Sequence, residues 1–337
     1  MSIRPVKSIS QSKPAIEGAG VKLRRAFGFG ETSAFDPFLL FDDFRNDRPE
    51  DYAAGFPWHP HRGIETITYV LAGSVDHGDS LGNRGTLGAG DVQWMTAGSG
   101  IMHQEMPKGD DKGRMHGFQL WANLPSSLKM TAPRYQDIPA GVIPEIVDDD
   151  GTRVRVVCGD FWGRRGPVEG VAAEPRYLDV FVPAGKRKTL PVEMERHGFA
   201  YVFDGSGTFS AASQPFGVLT EKSAGGNDIA HGPAKWEPVR RQDHAPLNKL
   251  ARDPGAKPVP TFADRALVRE STGNRSLVLF DSGDEVTVQA GEQGIRFLLV
   301  SGKPIEEPVA WYGPIVMNTQ AELQHAVAEL RGGTFIK

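Results

Sequence analysis

At 337 residues, with a formal charge of -4, the chain is long enough for about two domains and has no basic excess that would draw nucleic acid or an acidic membrane surface. Its one cysteine, Cys158, excludes an intramolecular disulfide, and no stretch approaches the roughly 18 apolar residues of a membrane span. Forty glycines, 25 prolines and 18 phenylalanines suit many short strands joined by turns. With no secretion-type apolar segment at its start, the chain is expected to be cytoplasmic and all-β, with no membrane partner and no direct nucleic-acid partner.

In chain order, residues 1–30 are polar, and Val21 to Arg24 alternates as an early strand would. Phe35 to Phe41 reads as a buried strand, with Asp42, Asp43 and the charged run to Asp51 as an exposed, solvated loop. From Ile64 the alternation is clear: Ile64, Thr66, Thr68 and Val70 fall on one face, and Glu65, Ile67, Tyr69 and Leu71 on the other. Short strands follow over Ser74–Gly78, Val92–Ala97, Ile101–Met106 and Met115–Leu124, separated by glycine turns. Such spacing describes a barrel or a sandwich. Residues 126–150 form a connector with a short strand at Ile143–Val147, and the domain boundary falls near 137. A second set of strands is expected at Val154–Cys158, Tyr177–Val182, Gly198–Phe203, Ser276–Phe280, Glu285–Gln289 and Gly294–Val300. Residues 211–260 have little periodicity and read as an insertion, a lid or a disordered excursion. A capped helix closes the chain at 319–331, stopped by Gly332-Gly333.

Two pairs of residues carry chemistry. His59 and His61 stand two apart, as do His103 and Glu105. On strands, both members of each pair point to one side, so two pairs facing one interior can bring three imidazoles and a carboxylate to a point, which is a metal site. Counting back by twos, Glu65 shares the face of His59 and His61 if that strand runs without a bulge. His116 and Gln119 are further candidates for the same cavity, with Phe56, Trp58 or Met106 near its mouth. His197, His231 and His244 show no paired spacing, so no metal is expected in the second half. Cys158 reads as a small buried apolar residue.

His59-Pro60-His61-Arg62-Gly63, Asp91 to Gly98, His103-Gln104-Glu105-Met106-Pro107, Gln119 to Pro125 and Gly313 to Thr319 resemble segments of the pirins, a branch of the cupin superfamily. The resemblance runs through almost all of the N-terminal half and through patches of the C-terminal half. It implies a bicupin: two antiparallel, jelly-roll β-barrels with a short C-terminal helix, the first (1–137) holding one metal and the second (138–337) none. Carried over, the ligands fall on His59, His61, His103 and Glu105, with Glu65 beside them as an alternative. Fe(II) is the expected ion, with Mn, Ni, Cu and Zn open.

Three neutral imidazoles and one carboxylate suit a first-row divalent ion and leave two of six positions open. That arrangement fits a ring-cleaving, quercetin 2,3-dioxygenase-like enzyme taking a small aromatic flavonol, enediol or catechol, with Glu105 also serving as the catalytic base. The resemblance also implies the other known role of pirins: a non-catalytic, iron-dependent regulator acting through a protein partner.

Overall fold

The computed structural model describes residues 2–210 and 271–337. The stretch read as an insertion at 211–260, with His231 and His244, lies outside the described residues. The first half supplies β1 (Val6–Gln11), β2 (Lys13–Glu17), β3 (Val21–Phe27), β4 (Phe38–Asp43), β5 (Phe56–His61) and β6 (Ile64–Ala72). It continues with β7 (Ser74–Asp79), β8 (Arg84–Leu87), β9 (Val92–Thr96), β10 (Ile101–Lys108), β11 (His116–Asn123) and β12 (Arg134–Ile138). A seven-stranded sheet in the order β12-β9-β6-β11-β4-β3-β2 faces a four-stranded sheet in the order β5-β10-β7-β8. All pairings in both are antiparallel.

The alternation along β6 decides what each face meets. Thr68 points into the barrel, where its Oγ1 lies 3.2 Å from Glu105 of the opposite sheet. Ile67 and Tyr69 point the other way, into a core shared with the second half: Phe27, Phe41, Trp94, Phe118 and Leu120 meet Tyr177, Phe199, Tyr201, Leu298 and Val300. Tyr69 donates across this junction to Asp179 (2.7 Å). Both faces of the strand are therefore buried.

The second barrel is built on Arg153–Cys158, Arg176–Val182, Glu285–Gly302, His197–Phe209 and Ser276–Phe280, hydrogen-bonded in that order. Its own core includes Val156, Leu178, Val180, Ala200, Val278, Val288 and Phe297. The two runs expected as separate strands at 285–289 and 294–300 form one strand that passes through Gly294 at φ +80°. β1 joins this second sheet, pairing with Ser276–Phe280.

Asp42 and Asp43 depart from the sequence expectation, because they end buried β4 rather than beginning an exposed loop. Each carboxylate enters the wall with its own guanidinium: Arg25 forks onto Asp42 at 2.8 and 2.7 Å, and Arg45 Nε donates to Asp43 at 2.8 Å. Pairing of this kind makes a buried charge tolerable, and a reading from hydropathy alone passes over it.

The C-terminal helix spans Gln320–Arg331, and Thr319 and Glu322 form a reciprocal capping box. It packs with the hairpin Ala310–Tyr312/Ile315–Met317 and Phe335 in a small cluster of its own. This segment returns to the first barrel beside the end of β5. Val316 N–H donates to the Arg62 carbonyl (3.0 Å). The buried Arg62 guanidinium contacts Glu329 (2.5 Å), the Phe335 carbonyl (2.8 Å) and the Phe335 ring face (4.1 Å).

Candidate metal centre

β5 and β10 lie side by side, with His59 opposite His103 and His61 opposite Ile101. That register brings three rings together: centroids are 4.9 Å apart for His59 and His61, 4.4 Å for His59 and His103, and 4.8 Å for His61 and His103. One nitrogen from each ring lies within 4.8 Å of one from each of the others. His59 Nδ1 donates to the Pro57 carbonyl (2.8 Å), which leaves Nε2 with a bare lone pair 3.1 Å from His61 Nε2.

His61 and His103 are each only 1% exposed. Burial, with the neighbouring imidazoles adding to it, holds His61 well below the ordinary histidine range. Burial likewise brings His103 down to about 4, against an opposing pull from Glu105. Both are neutral near pH 7, as ligands must be. His61 Nδ1 and both nitrogens of His103 are buried with no hydrogen-bond partner. Buried polar atoms are rarely left so; a cation shared by the three rings satisfies lone pairs that the protein does not, so these residues fit a metal.

Glu105 stands two residues beyond His103 on the same strand, but the pairing shifts between them, so Glu105 comes opposite Phe56. Its carboxylate lies outside the group of mutually close donors. Gln119 Nε2 approaches both of its oxygens at 3.2 Å, and Thr68 Oγ1 donates to one of them. Gln119 is oriented in turn by Trp121 Nε1, which donates to its Oε1 (2.9 Å). Of the four sequence candidates, the three histidines come together and Glu105 is held beside them.

Glu65 is elsewhere. β5 ends at His61, and Gly63 at φ +73° turns the chain into the other sheet, so the count by twos does not carry across. Glu65 faces the junction with the second half and accepts from Trp94 Nε1 (3.1 Å) and Thr96 Oγ1 (2.8 Å). Burial raises it to about 7. His116 is bound to Asp47 (2.5 Å), whereas Gln119 does line the cavity. Cys158 is buried, which pushes its thiol up to about 12.

Comparison with known proteins bears on this arrangement. Residues 20–122 match the family profile described as Pirin, and residues 261–336 the one described as Pirin C-terminal cupin domain. A pirin-like protein of Caulobacter vibrioides is 38% identical over 99% of this chain and 100% of its own length. The chain belongs to the pirin family. Pirin-like protein 2 of Arabidopsis thaliana is 34% identical over 98% of this chain and 85% of its own. The fold is that of a bicupin: a crystal structure of a quercetin 2,3-dioxygenase from Acinetobacter baumannii superposes with a TM-score of 0.75 at 27% identity, covering 99% of this chain and 98% of the other.

In this pirin His59 opens onto a cavity of about 700 Å³, and His61 and His103 are buried beside it. His59, Glu105 and Gln119 lie at one side, and Phe29, Phe56, Trp58, Trp121 and Trp311 supply aromatic walls. Phe29 stacks on Trp311 with centroids 4.2 Å apart, so a residue of the C-terminal segment completes the wall. Met106 is not among the lining residues. Sequence reasoning named Phe56, Trp58 and Gln119 but missed Phe29, Trp121 and Trp311. Those three share no periodicity with the ligand strands, and only the tertiary fold brings Trp311 to the site. Among the described residues, no helix is long and apolar enough to cross a membrane.

Proposed function

We propose that this pirin is a metal-dependent dioxygenase, with Fe(II) as its ion and quercetin-like flavonols or related enediols and catechols as its substrates. The observation that carries the reading is a cluster of three imidazoles, two of them buried with unpartnered nitrogens and the third, His59, lining a cavity of about 700 Å³ walled by aromatic rings, a size within the usual range for small-molecule sites. The likeness to the quercetin 2,3-dioxygenase of Acinetobacter baumannii supports the same substrate class.

His59, His61 and His103 would hold the ion, with Glu105 as fourth ligand. When bound, the ion supplies Lewis acidity toward a chelating hydroxyl and redox capacity toward dioxygen. The chain's own residues do the rest. The aromatic walls orient a flat substrate and exclude water. Glu105, kept in place by Gln119 and Thr68, accepts the proton of the substrate hydroxyl. Gln119 and Trp121 fix the carboxylate so that no reorientation is needed as that proton moves.

The test is anaerobic reconstitution with Fe(II), followed by admission of oxygen. Oxygen uptake coupled to loss of the flavonol absorbance band is expected, and His61→Ala should abolish both. Absence of turnover in the reconstituted protein, or full turnover in His61→Ala, overturns the reading.

A further inference from the structure

Four strands of the first barrel carry a row of polar side chains that the proposed chemistry does not use up. Arg25 on β3 pairs in register with Asp42 on β4, Asp42 with Gln119 on β11, and Gln119 with Thr68 on β6. Gln119 and Thr68 end at Glu105. Arg25 and Asp42 lie at the far end of the row, yet they line the same cavity as His59 and Glu105. A rib of hydrogen-bonding groups therefore crosses the pocket away from the histidines, between otherwise aromatic walls.

From this placement we infer that Asp42, braced by Arg25, is a recognition subsite for a hydroxyl group at the end of the substrate remote from the metal, and that the pocket selects neutral polyhydroxylated aromatics over carboxylated ones. The inference rests on the reading of this cavity as the substrate pocket. Each Asp42 oxygen takes one hydrogen bond from Arg25, at 2.8 and 2.7 Å, and each retains a lone pair for a further donor. The same Arg25 Nη2 also pairs with Glu17 (2.8 Å), so the carboxylate is held in one orientation before any ligand arrives. Preorganised, charge-assisted acceptors of this kind favour phenolic O–H donors strongly.

Charge supplies the second half of the selection. Glu17, Glu31, Asp42 and Glu105 line the cavity against the single guanidinium of Arg25. An incoming carboxylate meets this excess of like charge in a partly dehydrated pocket, whereas a neutral phenol does not.

The experiment is an anaerobic equilibrium titration of the metal-loaded full chain, read by quenching of tryptophan fluorescence, since Trp58, Trp121 and Trp311 line the cavity. The probes are 3-hydroxyflavone against 3,5,7-trihydroxyflavone, and catechol against 3,4-dihydroxybenzoate. Wild type is expected to bind the trihydroxyflavone about tenfold more tightly than the monohydroxyflavone, with the ratio falling below about threefold in Asp42→Asn. Catechol is expected to outbind its carboxylated analogue, and Glu17→Gln combined with Glu31→Gln, the first half-buried and the second exposed at the rim, should narrow that gap severalfold.

Equal wild-type affinity for the two flavonols, or preference for the carboxylated catechol, overturns the inference. Should Asp42→Asn fail to fold, those two wild-type ratios and the rim variants still decide it. Tight, Asp42-dependent binding without oxygen consumption would leave the subsite standing and remove the dioxygenase reading; oxygen consumption without the preference would do the reverse.

Discussion

Glu65 offers the sharpest test of how the barrel junction is built. Its carboxyl is buried between the two halves, and burial raises it from the ordinary 4.5 to about 7 even though Thr96 and Trp94 both hydrogen-bond to it. An unfolded chain releases this proton near 4.5, whereas the folded one keeps it until about 7. Between those values the folded state binds more protons, so this group's contribution to stability is intact below about pH 4.5 and is lost as pH rises toward 7. At 1.36 kcal/mol per pKa unit, the loss amounts to about 3 kcal/mol by neutral pH. Glu65→Gln keeps an acceptor for Trp94 and gives Thr96 a donor while removing the charge. Thermal unfolding of wild type and Glu65→Gln should therefore coincide near pH 4.5 and diverge above about pH 7, with the variant melting several degrees higher. A pH-independent difference, or a less stable variant at about pH 8, would show that the two hydrogen bonds outweigh desolvation and would refute the argument.

His103→Ala should lose most of its bound metal, measured by elemental analysis after reconstitution, while remaining folded, because the space it leaves is bordered by the polar rings of His59 and His61. Gln119→Leu removes the donor that holds Glu105 and should lower kcat by about tenfold with a smaller change in KM, as expected when a positioning hydrogen bond is lost; an equal loss in KM would point to substrate binding instead. Phe335→Ala empties a buried site and strips the ring from Arg62, and should cost about 3–5 kcal/mol in denaturant unfolding. Gly63→Ala places a Cβ 1.9 Å from the Val316 carbonyl at φ +73° and should prevent the C-terminal hairpin from docking, visible as protease sensitivity of the tail.

How much of this was readable in the sequence depended on whether parity held along a strand. It held within β6, where the predicted faces separate the barrel interior from the core shared with the second half, and within β5, where it paired His59 with His61; along β10 the register shifts between His103 and Glu105. It failed wherever the backbone changed sheets: Gly63 resets the count and sends Glu65 away from the site its spacing suggested. Composition misled at Asp42 and Asp43, because the arginines that neutralise them arrive from β3 and from the turn after β4. The aromatic wall was out of reach for a different reason. Phe29 and Trp311 stack across most of the chain's length, and nothing local to either residue announces the other.

The junction at Arg62 and Gly63 explains why the carboxylate beside the histidines comes from a second strand. His61 must end β5 pointing inward, and Arg62, next in line, points outward to Glu329 and Phe335. Continuing the strand would have placed Glu65 among the imidazoles, but it would also have removed the turn into which Val316 docks. With that turn in place, the acid held nearest the imidazoles is Glu105 of β10, oriented by Gln119 on the facing sheet. The strand that carries two of the three histidines is thus anchored by a buried guanidinium to the last helix of the chain. The candidate metal centre within residues 59–105 is thereby tied to residues 311–335, because Arg62, which holds Glu329 and Phe335, directly follows His61.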